Sequence, residues 1–251
     1  MKKLALFALT VIATATFAAS PVQPGAISIT GTSTQVASVS NGSSVTNTSN
    51  AGTYAAQNQA SNQGNIVISG TSTQSSGIVS SGVHNVGYNG GDVAVQSLAS
   101  NVGNVKISGT STQNSNVANS TMTNEARGEG CDDCSAGTAT AYQNGATNFG
   151  DVTITGTSNQ TLGVGGGSTV RNLADGADAV AIQNLSSNYG KVTISGTSNQ
   201  TTWIASNSLL SNVAHGSGSA AYQNLASNDY CLPPPPICVG AACGPFSVAR
   251  R

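Results

Sequence analysis

Charge is scarce in this chain. Lys, Arg, Asp and Glu together make up 7% of its 251 residues and nearly cancel, leaving a formal net charge of -1. No basic patch is present, so neither nucleic acid nor an anionic membrane is an expected partner. Aromatic residues make up 4%, and the histidines are His84 and His215, which do not fall at equivalent positions. The acids Asp92, Glu125, Glu129, Asp132, Asp133, Asp151, Asp175, Asp178 and Asp229 are scattered, with no paired-carboxylate signature. There is no serine nucleophile elbow and no phosphate-cradling loop. Gly163-Val-Gly-Gly-Gly167 is followed by Ser-Thr-Val rather than by a Lys-bearing helix start and reads as a loop. The expectation is therefore no enzyme, no cofactor and no metal.

Long apolar runs are also absent, apart from residues 4–17. That run follows Met1-Lys2-Lys3 and leads to the small residues Thr16, Ala18 and Ala19, the layout of a secretory signal peptide over residues 1–19, with a buried N-terminal helix as the alternative. It is too short for a spanning helix, so no membrane span is expected in the mature chain. Residues 20–25 form a short leader containing Pro21 and Pro24. Losing Lys2 and Lys3 leaves six basic against nine acidic residues. Export would place the chain where disulfides persist. Its candidates are Cys131, Cys134, Cys231, Cys238 and Cys243, an odd number that leaves one thiol free or bridged to another molecule.

What the chain has in quantity is Gly, Ser, Thr, Asn and Gln, and they recur. A Gly-Thr-Ser core starts at Gly31, Gly70, Gly109, Gly156 and Gly196. A second block, Ala-x-Gln, carries Gln57, Gln96, Gln143, Gln183 and Gln223. A fixed period of about 40 residues is the mark of a repeat architecture. The expected fold is an all-β repeat solenoid over residues 26–228, in units 26–62, 65–101, 104–148, 151–188 and 191–228, with a Cys/Pro-rich tail over 229–251. Read with a strand's period of two, Val105, Ile107, Gly109, Ser111 and Gln113 share an interior face, and Lys106, Ser108, Thr110 and Thr112 share a face toward water. In the second block the constant Ala and Gln fit an inside face. The variable position between them, Ala56, Val95, Tyr142, Ile182 and Tyr222, fits an outside one. Asn62, Asn101, Asn148, Asn188 and Asn228 are expected to end that strand, with Asn-x-Gly as turn chemistry before Gly64, Gly103, Gly150 and Gly190.

Glutamines of successive blocks keep one spacing: Gln57 to Gln74, Gln96 to Gln113, Gln143 to Gln160 and Gln183 to Gln200. The other half of the repeat varies and is expected to hold loops and a third strand around residues 168–173. Stacking in register would set Gln over Gln and Asn over Asn. The expected ladder is Gln57, Gln96, Gln143, Gln183 and Gln223, with Gln35, Gln74, Gln113, Gln160 and Gln200, and with Asn62, Asn101, Asn148, Asn188 and Asn228. A buried amide left unpaired costs about 1–3 kcal/mol, and a ladder removes that cost. The alternative is that these glutamines are exposed low-complexity filler. The extra length of the third unit falls near Cys131-Asp-Asp-Cys134, read as a local disulfide, a redox pair or a metal ligand pair. The segment from Cys231 through four prolines to Cys238 and Cys243 reads as a cap for the last unit, a docking tag or a tether.

Gln143-Asn-Gly145-Ala-Thr-Asn148 reads Gln-x-Gly-x-x-Asn and resembles part of the repeat of curlin-like bacterial amyloid fibre subunits. Other units keep the Gln and the Asn five residues on, such as Gln183 and Asn188, while the unit is near 40 residues rather than the low twenties. The resemblance implies a secreted subunit that stacks into fibres in a biofilm matrix or on the cell surface. Its partner would be itself, with a nucleator or an outer-membrane secretion factor. The competing expectations are a secreted binding solenoid that meets ice through rows of Thr, and a surface adhesin or disordered stalk.

Overall fold

The computed structural model describes residues 26–50, 54–88, 92–127, 139–176, 179–216 and 219–229. The regular elements among them are all β-strands. The expected signal peptide and leader, the expected tail beyond Asp229, and all five cysteines lie outside the described residues. The chain coils five times, each coil gives one strand to each of five sheets, and each strand pairs only with its counterparts in neighbouring coils. This is a β-solenoid with about 40 residues per turn.

The first sheet comprises Ala26–Ile29, Asn65–Ile68, Val105–Ile107, Val152–Ile154 and Val192–Ile194. The second comprises Thr32–Val39, Thr71–Val79, Thr110–Ala118, Thr157–Gly165 and Thr197–Ile204. The third, in the variable half of the repeat, comprises Ser44–Asn50, Gly82–Tyr88, Thr121–Arg127, Thr169–Asp175 and Leu209–His215. Tyr54–Gln59, Val93–Leu98, Thr140–Gly145, Val180–Leu185 and Ala220–Leu225 form the fourth. The fifth is a narrow ribbon of Asn62–Gln63, Asn101–Val102, Asn148–Phe149, Asn188–Tyr189 and Asn228–Asp229. All pairings are parallel and in register, so Gln35, Gln74, Gln113, Gln160 and Gln200 sit one above another, as do Gln57, Gln96, Gln143, Gln183 and Gln223.

Alternation puts the β-branched apolar residues inside. Ile78, Val117 and Val164 of the second sheet, Val83, Met122 and Val170 of the third, and Leu98 and Leu185 of the fourth converge on one buried column. The first sheet builds its own column from Ile29, Ile68, Ile107 and Ile154 with their neighbours Ile66, Val105 and Val152. Alanines of the third and fourth sheets, among them Ala94, Ala126, Ala141 and Ala174, line a third cluster. The composition is poor in apolar area, yet stacking serves it well: each side chain is covered above and below by its own counterpart.

Glycine is required where the first sheet bends into the second. A Cβ on Gly70, Gly109, Gly156 or Gly196 would collide with the carbonyl oxygen of the equivalent glycine one coil earlier. At Gly31, in the first coil, a Cβ would meet nothing within 4 Å.

Two expectations change. The asparagines Asn62, Asn101, Asn148 and Asn188 do not terminate the fourth strand but open the fifth. The bend before each is made by a left-handed residue two places earlier, Ala60, Ala99, Ala146 or Ser186, at φ between 47° and 52°. The glycines after them, Gly64, Gly103, Gly150 and Gly190, take φ between 110° and 131°, where a side chain would be strained.

The variable position of the fourth strand is also not at the surface. Val95, Tyr142 and Ile182 are buried with Val102, Phe149 and Tyr189 of the fifth sheet in a separate apolar cluster. The left-handed bend folds the fifth strand against the outer face of the fourth, so Tyr142 meets Phe149 edge-on at 5.5 Å, and Phe149 stacks on Tyr189 at 5.2 Å. A period-two reading of one strand detects two faces but not that both are covered.

The Tyr142 hydroxyl is buried without a hydrogen-bond partner. Burial holds its phenol well above the ordinary 10.0. The folded state therefore favours the neutral phenol. Its contribution is intact below pH 10 and is lost as pH rises past 10 toward the folded-state value. Tyr142→Phe is expected to raise stability by about 1 kcal/mol at neutral pH, since it removes an unpaired buried hydroxyl. It should also flatten the alkaline fall. Urea melts of both proteins at pH 8 and pH 11 check this.

Candidate functional site: polar ladders and two open ends

A carboxamide offers two N–H donors and an oxygen with two lone pairs. In a dry interior every one of these needs a partner. Stacked coils supply one donor and one acceptor along the axis, and the strand across the coil supplies the rest.

In the fourth sheet the amides of Gln96, Gln143, Gln183 and Gln223 each donate to the Oε1 of the glutamine one coil earlier, at 2.8, 3.0, 2.6 and 2.6 Å. The same nitrogens also donate to main-chain oxygens of the third-sheet strand in the next coil, Gln96 to Thr123 and Gln143 to Arg171. Gln96, Gln143 and Gln183 are fully buried. In the fifth sheet Asn62, Asn101, Asn148 and Asn188 donate the other way, each to the Oδ1 of the asparagine one coil later, at 2.8 to 2.9 Å.

The second-sheet glutamines depart from the expected ladder. They lie in register but do not bond to one another. Gln35, Gln113, Gln160 and Gln200 donate to Oδ1 of the fifth-sheet Asn62, Asn148, Asn188 and Asn228, at 2.7 to 3.0 Å. Gln74, Gln113, Gln160 and Gln200 donate to the main-chain oxygens of Ser100, Thr147, Ser187 and Ser227. With the nitrogen committed across the coil, none of it reaches along the axis, and the Oε1 atoms of Gln35, Gln74, Gln113 and Gln160 are buried without partners. These glutamines tie the coil shut rather than tying coil to coil.

A further ladder runs through the third sheet. Asn47, Asn85, Asn124 and Asn172 of the third sheet each donate to the Oδ1 of the asparagine one coil later, ending at Asn212, at 2.7 to 2.8 Å. Each also donates to main-chain oxygens of the fourth sheet, Asn124 to Ala94 and Tyr142 for example. A signal was present in the sequence: Val45-Thr-Asn47, Val83-His-Asn85, Met122-Thr-Asn124, Val170-Arg-Asn172 and Leu210-Ser-Asn212 all read apolar-x-Asn.

All three ladders stop at the terminal coils, where the Gln57 nitrogen turns to the main-chain oxygens of Val45 and His84 and the Asn212 nitrogen to those of Ala181 and Tyr222. At the first coil the Gln57 amide has no earlier glutamine to donate to, and the Asn47 and Asn62 oxygens have no earlier asparagine to accept from. At the last coil the Gln223 oxygen and the Asn212 and Asn228 amides lack a later partner. Residues that are buried in the middle coils are open there. In one column Ile107 is 0% exposed and Ile194 37%, and in another Val164 is 0% and Ile204 39%.

Little else gathers. Among the described residues Arg127 pairs with Glu125 at 2.9 Å, and the His215 ring lies 3.0 Å from the Asp175 carboxyl. No group of three or more His, Cys, Asp or Glu side chains among the described residues could hold a metal ion. No helix of the described residues is long and apolar enough to cross a membrane.

Removing one rung in mid-ladder leaves buried partners on both sides. Asn124→Leu is expected to destabilise by about 2–4 kcal/mol, from two stranded carboxamide partners. The exposed pair Asn104–Asn65 forms a similar bond at the surface, and Asn104→Ala is expected to change stability by less than about 0.5 kcal/mol. Chemical denaturation midpoints of the two variants make the comparison.

No family model, curated protein or solved structure matches this chain.

Proposed function

We propose that the chain is a secreted structural protein, the self-assembling subunit of an extracellular, amyloid-like fibre. The observation that carries the reading is that both ends of the solenoid have the composition of its interior. Natural sheet proteins blunt exposed edges with charge, proline or bulges. Residues 26–63 contain no Lys, Arg, Asp, Glu or Pro, and residues 192–229 contain only Asp229 among those types. Among the described residues both end coils instead present open strand edges, ladders that stop, and uncovered apolar residues. Low charge removes the repulsion that would hold copies apart, and in-register amide ladders are a feature of cross-β assemblies. Export is supported by the character of residues 1–19.

Purified protein is expected to grow unbranched fibres that seed fresh solution and give a meridional reflection at about 4.7–4.8 Å. A protein that stays monomeric at high concentration, seeded or not, would overturn the reading.

One observation favours a second reading. Thr32, Thr71, Thr110, Thr157 and Thr197 form an unbroken column on the outer face of the second sheet, beside Thr34, Thr73, Thr112, Asn159 and Asn199. Hydroxyls at strand spacing form a flat, regular array, the kind of surface suited to ice. A freezing-point hysteresis that is abolished by Thr110→Tyr would support this reading, and no hysteresis would end it.

A further inference from the structure

The fibre reading leaves open how copies meet. Resting on that reading, we infer that subunits join head to tail: the last coil of one chain seats on the first coil of the next, in the parallel register that relates coils within a chain. The fibre is then polar, with two unlike ends.

Three observations converge on this geometry. The first is the direction of the ladders. The fourth-sheet glutamines, and the shorter run Asn224–Asn184–Asn144 beside them, donate toward the first coil, whereas the third- and fifth-sheet asparagine ladders donate toward the last. At the first coil the Asn47 and Asn62 oxygens have room for one more donor, Asn62 Oδ1 already accepting from Gln35, and the Gln57 nitrogen fills the place of the missing glutamine with a long 3.5 Å bond to the Val45 main-chain oxygen. At the last coil the Gln223 oxygen and the Asn228 amide stand at the open end, and the Asn212 nitrogen bonds the main-chain oxygens of Ala181 and Tyr222, the kind of bonds that Asn172 keeps beside its ladder bond. A head-to-tail contact continues all three ladders in their own direction. A two-fold contact between like ends reverses that direction and continues none of them.

The second is the outline of the coil. The five strands of the first coil have 4, 8, 7, 6 and 2 residues in order. Turning one copy over reverses that order around the axis and makes the strands antiparallel. Sheets of unequal width then face the wrong partners. Only translation and rotation along the axis keep all five sheets continuous.

The third is Gly31. Inside the chain, each glycine of this column is required because a Cβ would strike the carbonyl oxygen of the coil before it. Nothing before Gly31 imposes this, and its Cβ position is open. A second chain's last coil, bringing the carbonyl of Gly196 to the same place, would impose it. The residue is thus idle in the monomer and necessary in the fibre.

The test uses one block on each end. Gly31→Val blocks the first coil, and its Cβ meets nothing within 4 Å in the monomer. Ile194→Lys puts a charge on the open end of the column above Ile154 and blocks the last coil. Both are expected to keep the wild-type circular dichroism and melting temperature, whereas Gly109→Val, the same change inside the stack, should unfold the protein. Neither single block should elongate at concentrations where wild type does. An equimolar mixture should give particles of twice the chain mass and nothing longer, seen by analytical ultracentrifugation. Dimers or fibres from Gly31→Val alone would overturn the head-to-tail inference while leaving the fibre reading standing. So would failure of the two blocked proteins to pair. If Gly31→Val loses its fold, Gly31 is needed within the monomer and its part of the argument falls; Ile27→Lys then provides the first-coil block for the same mixing experiment. Absence of fibres from wild type would instead remove the fibre reading itself.

Discussion

The structure depends on one constraint: each side chain lies directly over its counterpart, at the spacing of adjacent β-strands. Parallel in-register pairing fixes that spacing at about 4.8 Å, with no sideways offset. At that distance a carboxamide can reach the carboxamide above or below it. Fully buried glutamine and asparagine are then tolerable, because each coil supplies what the next one lacks. The same spacing excludes a Cβ at Gly70, Gly109, Gly156 and Gly196, where successive backbones approach most closely.

Bonds along the axis and bonds across the coil divide the work. The third-, fourth- and fifth-sheet ladders hold coils at a fixed height. The second-sheet glutamines spend their nitrogens across the coil, at a cost of unpartnered oxygens, and so define the cross-section. This division explains how the third repeat carries a longer segment. Thr121–Arg127 and Thr140–Gly145 both stay in register with the coils on either side, and the added residues fall between them in sequence.

An array of this kind has no natural last member. Every coil needs neighbours on two sides, and among the described residues the two terminal coils have one each. Between residues 26 and 229 the sequence makes no concession to that position. Ladders, apolar columns and an unconstrained glycine all continue to the edge as though another coil followed. Asymmetry within the ladders then gives the two edges different and complementary chemistry, because a hydrogen bond has a donor end and an acceptor end.

The sequence by itself determined the period, the strand character and the interior identity of the Gln and Asn columns. These follow from spacing and alternation, which are local and survive any arrangement in space. Gln96, Gln143 and Gln183, read as interior from their invariant spacing, are fully buried. Other features were decided only by the tertiary structure. The aromatic cluster of Tyr142, Phe149 and Tyr189 exists because a left-handed residue folds the fifth strand onto the fourth, and alternation in one strand carries no information about what covers its second face. The choice between a ladder and a cross-coil bond likewise depends on what stands opposite each amide. Asn62 and its equivalents stand opposite the second-sheet glutamines, and the main chain of the third sheet stands opposite the fourth-sheet ones. Identical residue types with identical spacing thus take different partners, because hydrogen bonding is settled by distances between strands that are far apart along the chain.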